Sequence, residues 1–110
     1  MDATTFAALG DPSRLQMVEL LRRRPRSVGG ITETLGLRQP QVSKHLGVLR
    51  EAGVVAVEPV GRRRIYRLRD EPFEEIRTWI DSFEGLWETR LDSLETFLAS
   101  REEAGEDADP

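Results

Sequence analysis

Between Gln39 and His45 the chain concentrates side chains able to act on another molecule: Gln39, Gln41, Ser43, Lys44 and His45. Glutamine carries a paired donor and acceptor that match adenine edges, lysine meets guanine acceptors or phosphate, and serine serves either way. A second cluster, Arg62, Arg63 and Arg64, offers permanent charge that binds phosphate whatever the base sequence and can enter a narrow minor groove. Neither group is a catalytic constellation. With no Cys and a single His, the chain excludes thiolate metal sites, disulfides, Cys nucleophiles and multi-histidine sites. His45 lacks a partner for triad chemistry, so it is expected to be structural or to contact phosphate. Asp81, Glu84, Glu88 and Asp92 recur at helical spacing and could hold a hard cation, but a solvated helix face explains them better. No catalytic residue, metal or cofactor is therefore expected.

Charge supports a phosphate-facing reading once it is taken by segment. The net charge of −4 conceals twelve Lys or Arg against three acids between residues 22 and 69, flanked by an acidic start and by fourteen acids against three Arg from residue 70 onward. The local field, acting over a Debye length of about 8 Å, steers association more than the total does. Arg22, Arg23, Arg24 and Arg26 are ambiguous within this block, serving equally well as backbone contacts beside the site or as a basic loop.

The elements that must position these residues are punctuated by caps and breakers. A short apolar helix at 4–9 ends at Gly10, and Asp11 followed by Pro12 starts a second helix that runs to about Arg23, with Leu15, Val18 and Leu21 on its apolar face. Ser27 caps a third helix over 28–35, and Gly36 supplies a left-handed end. In a fourth helix reaching Glu51, Val42, Leu46 and Leu49 define one buried face, so Pro40, Gln41, Ser43, Lys44 and Gly47 lie outward and His45 is half covered. Runs at 54–60 and 63–68 around Gly61 and Arg62 read as a hairpin, which Pro59 marks as edge-like. From Pro72 onward Phe73, Ile76, Ile80, Phe83, Trp87, Leu91, Leu94 and Leu98 continue at steps of three or four, predicting one helix about 39 Å long. A helix of that length overhangs a domain whose radius of gyration is about 13 Å.

Two short helices joined by a Gly-containing turn, then a basic hairpin, form the order of a winged helix-turn-helix. The segments FAALGDPSRLQMVELL, LRQPQVSKHLGVLREAGVV and GRRRIYRL, in that order, resemble the ArsR/SmtB family of bacterial winged-helix transcriptional regulators over residues 4–98. The resemblance implies a mainly α fold with a small β-hairpin, with long N- and C-terminal dimerisation helices flanking the winged helix-turn-helix. It implies a homodimer through Phe6, Phe83, Trp87, Leu91, Leu94 and Leu98, with recognition helices entering successive major grooves of an inverted-repeat operator about 34 Å apart. Many family members sense metals through Cys near the third helix or His on the last one. No Cys lies between Gly29 and Leu37 and the last helix has no His, so metal control is not carried over. FEGLWETRLDSLETFL looks like the non-metal members, often autoregulators. Arg38 stands where a small capping residue is common, which leaves Gln39 to cap instead.

The expectation is thus a homodimeric, sequence-specific DNA-binding regulator, a repressor. Gln39, Gln41, Ser43, Lys44 and His45 lie on its recognition helix, and Arg62, Arg63 and Arg64 on its wing. The rival is a winged-helix protein-interaction module without specific DNA binding. A small-molecule effector is left open: Trp79 and Trp87 could line a pocket, although aromatics at this spacing usually pack. Residues 1–100 are expected to form one DNA-binding and dimerisation domain, and 101–110 an acidic tail without fixed structure. With neither a leader pattern nor roughly 18 consecutive apolar residues, a cytoplasmic protein without a membrane partner is expected.

Overall fold

Short polar caps set the boundaries of the first helices. The computed structural model describes residues 2–108, leaving aside the side chains of Trp87, Thr89 and 102–108. The Asp2 carboxylate accepts from the Thr4 amide at the start of α1 (Ala3–Leu9), and Asp11 accepts from Ser13 and Arg14 at the start of α2 (Pro12–Arg23). Each satisfies amides that have no partner within the helix. At seven residues, α1 is short rather than long. The Ser27 hydroxyl accepts from Gly30 to open α3 (Val28–Leu35), which closes at Gly36 with φ of 66°, a conformation that a side chain would strain. Then comes α4 (Gln39–Glu51), followed by β2 (Val55–Val60), β3 (Arg63–Leu68), α5 (Asp70–Asp81) and α6 (Glu84–Ala108).

The chain forms two compact units, residues 1–75 and 76–110. In the first, Met17, Val18, Leu20 and Leu21 of α2 meet Ile31 of α3 and Val42, Leu46 and Leu49 of α4, all buried. Val54, Val55 and Tyr66 close the core, with Phe73 packed against it. Each fully buried Leu, Ile, Val or Met contributes roughly 1.5–3 kcal/mol, which is what fixes α4 against α2 and α3. Leu15 departs from the expected pattern and is exposed. At about 100° per residue it lies about 140° from the centre of the arc that Met17 to Leu21 occupy, so the helix turns it away.

The hairpin is part of a three-stranded antiparallel sheet in the order β1-β3-β2, because Arg26–Ser27 forms a short β1 with Arg26 opposite Tyr66 and Ser27 opposite Ile65. Across the hairpin the register runs from Val55 opposite Leu68 to Val60 opposite Arg63, and Gly61, with φ of 62°, makes the turn. Pro59 thus sits on the edge strand, where its missing N–H costs no ladder bond to a further strand.

In the second unit the single long helix expected from residue 72 to 98 is divided between Asp81 and Glu84. The Ser82 amide is shared between the Thr78 and Trp79 carbonyls, its hydroxyl donates to Trp79, and the Phe83 amide reaches back three residues to Ile80. Serine competes with the helix ladder in this way, and bonds three residues back tighten and end a helix. The apolar spacing continues across the break, which is why the sequence alone conceals it. The indole of Trp79 meets Phe83 edge to face at 5.1 Å. Helix α6 extends into the segment expected to lack structure; the side chains of 102–110 and the backbone of 109–110 lie outside the described residues.

Candidate nucleic-acid interface

Burial of Val42, Leu46 and Leu49 rotates the opposite face of α4 into solvent, and Gln39, Pro40, Gln41, Ser43, Lys44 and Gly47 are all exposed there. A Cβ placed on Gly47 would meet nothing within 4 Å, so nothing in this chain's own packing requires glycine at that position. The start of the helix differs from the expectation that Gln39 would cap it. Gln39 is the first helical residue and Arg38 occupies the cap, but a guanidinium has no acceptor. Instead the Gln41 carbonyl reaches back to accept from the Arg38 amide at 3.4 Å. That bond leaves the Gln41 amide nitrogen free to donate outward, while orienting the side chain.

The hairpin and α4 come together at one groove. Arg63 and Arg64, at the start of β3, line an open cavity of about 580 Å³ with Gln39 of α4 and with Ser27, Val28, Gly29, Gly30 and Glu33 around the start of α3. Arg62 sits exposed in the turn, and among the described residues none of Arg62, Arg63 and Arg64 forms an ion pair. Two arginines without an ion pair beside the amino terminus of α3, against the single acid Glu33 in the same groove, favour an anionic partner over a neutral one. The contribution of Ser27, Gly29, Gly30 and Glu33 was not anticipated; the Ser27 cap followed by two glycines was its only signal.

His45 is half-buried, and its Nδ1 lies 3.4 Å from Nη1 of Arg14. Arg14 also donates to the Ala8 carbonyl at 2.6 Å and to Ala7 at 3.4 Å. Asp11 beside them is held below the usual carboxylate range, first by the Arg14 amide, then by the Ser13 amide and the positive charge of Arg14. Among the described residues no group of three His, Cys, Asp or Glu side chains converges as metal ligands would.

Of the expected dimer residues, Phe6 on α1 and Phe83, Leu91, Leu94 and Leu98 are exposed, Leu91 at 59%; the Trp87 side chain is outside the described set. No helix among the described residues is long and apolar enough to cross a membrane.

Residues 11–57, which carry α2, α3, α4 and the start of the wing, match the family model for bacterial regulatory proteins of the arsR family. Over 71% of this chain and 73% of that protein, the sequence is 40% identical to the HTH-type transcriptional regulator Rv2034 of Mycobacterium tuberculosis. The chain belongs to the arsR family. This ArsR-family chain is also 42% identical, over 63% of its length and 51% of the relative's, to the HTH-type transcriptional repressor SmtB of M. tuberculosis. Among solved structures, an ArsR-like transcriptional regulator from Rhodococcus sp. RHA1 superposes with a TM-score of 0.70 at 26% identity, covering 86% of this chain and 90% of that one. The fold is the winged helix-turn-helix of ArsR-family regulators.

Proposed function

We propose that this ArsR-family chain is a homodimeric repressor that binds an inverted-repeat operator. The observation that carries the reading is the continuity of the exposed face of α4 with the groove bearing Arg63 and Arg64. Gln39, Gln41, Ser43 and Lys44 read or register on base edges in the major groove, while Arg62, Arg63 and Arg64 hold the flanking backbone. His45, half-buried against Arg14, supports the helix more than it meets DNA. A second copy covers the apolar residues of the last helix, Leu91, Leu94 and Leu98, and places two recognition helices about 34 Å apart. Occupancy of such a site blocks polymerase. The repressor named among the relatives supports the sign of regulation.

The test is titration against the DNA upstream of the protein's own gene, with unrelated duplex as competitor, at two salt concentrations and with and without zinc. Retained preference under competitor supports operator binding. Equal loss for both duplexes at higher salt leaves only non-specific charge and favours a protein-interaction module. Release by zinc refutes the reading that metal plays no part. Lys44→Glu should weaken preference for the operator; unchanged affinity and base preference sink the recognition-face assignment.

A further inference from the structure

Arg14 ties three helices together without belonging to the outward face of any of them. From the first turn of α2 its Nε donates to the Ala8 carbonyl and one Nη to Ala7, capping the carboxy-terminal end of α1, while the other Nη faces Nδ1 of His45 on α4. Both side chains are half-buried. A guanidinium can only donate, so a hydrogen bond at this contact requires Nδ1 to present its lone pair, with the ring proton on Nε2. The positive charge also meets the negative ends of the α1 dipoles, which favours a cation at that spot.

We propose that Arg14 is a positioning residue for DNA recognition, holding His45 as the Nε2-protonated tautomer and thereby setting α4 against the corner between α1 and α2. This rests on the operator-binding reading. Ser43 and Lys44 are the two residues that precede His45 on that helix, so an altered seating of His45 displaces the residues that face base edges. Backbone contacts made by the wing lie on a different element and do not depend on the link. The expected signature is therefore loss of discrimination with little change in non-specific affinity.

The single histidine makes the link directly observable. Imidazole nitrogen resonances recorded at about pH 8, above the ordinary histidine pKa of about 6.5, should show an unprotonated Nδ1 in the unaltered protein and a tautomer mixture in Arg14→Gln. Arg14→Gln and His45→Leu should each weaken operator binding about 3- to 10-fold, the change associated with one hydrogen bond, and the double variant should lose no more than either alone. His45→Asn keeps an acceptor near the Nδ1 position and should recover affinity to within about twofold, with helix content by circular dichroism confirming that each variant is folded. A protonated Nδ1 in the unaltered protein, or losses that simply multiply in the double variant, would overturn the link. If the unaltered protein shows no operator preference, the regulator reading fails instead, and the tautomer measurement still decides for or against the Arg14 contact.

Discussion

Replacing Gly47 by alanine separates what helix stability requires at that position from what DNA requires. Glycine inside a helix is worse than alanine by about 0.8–1.0 kcal/mol, and at Gly47 the added methyl meets no atom within 4 Å, so nothing offsets that gain. With an unfolding entropy of about 2.1 cal/mol/K per residue over 110 residues, a gain of about 1 kcal/mol raises Tm by about 4 °C. Gly47 is exposed beside Ser43 and Lys44, so under the proposed operator binding the same methyl would face the groove floor. Operator affinity should then fall by about fivefold or more, since even one displaced bidentate base contact is worth about 1–3 kcal/mol. Calorimetry at fixed protein concentration, with operator titration in parallel, reads both effects. A higher Tm with unchanged operator affinity would refute close approach at Gly47, and an unchanged or lower Tm would refute its placement in open space.

Three further outcomes are expected. Arg63→Gln should lower the slope of log affinity against log salt by about 0.9 on operator and unrelated duplex alike, and an unchanged slope would remove Arg63 from the backbone contacts. Asp11→Ala should lower Tm at neutral pH by removing the α2 cap, whereas Asp11→Asn keeps most of the stability. Because the folded carboxyl titrates below its unfolded value, the charge-dependent part of its contribution is present above about pH 3.9 and is lost as pH falls through the folded value. Asp11→Asn should show no such loss, and matching acid profiles for the two proteins would contradict the assigned bonds. Leu91→Glu places a charge in the apolar stripe of α6, and sedimentation should then report a monomer; an intact dimer would assign the interface elsewhere.

Local chemistry was legible from residue types alone. Asp11 before Pro12, Ser27 before Val28, and Gly36 after Leu35 each satisfy or end a helix through atoms a few residues away, and the structure finds them doing so. The spacing of Val42, Leu46 and Leu49 was equally readable, because a helix converts spacing into a face. What escaped was non-local or masked by a continuing pattern. A two-residue β1 exists only through pairing with β3, some 40 residues away, and carries no periodicity of its own. Ser82 breaks the long apolar stripe through hydrogen bonds that leave the spacing intact. The Arg14 contact with His45 spans 31 positions, so a lone His half covered beside a buried face was its only trace.

The strand order gives the small sheet a further property. β3 is enclosed by β1 over Ile65 and Tyr66 and by β2 along its whole length, which leaves β2 as the long open edge. Along that edge Glu58 brings a charge and Pro59 withholds a donor. An edge so blunted is a poor template for an added strand, whether from an unfolding neighbour or from another molecule docking edge to edge. The wing can therefore project its arginines into solvent while its open edge offers little to a recruiting strand.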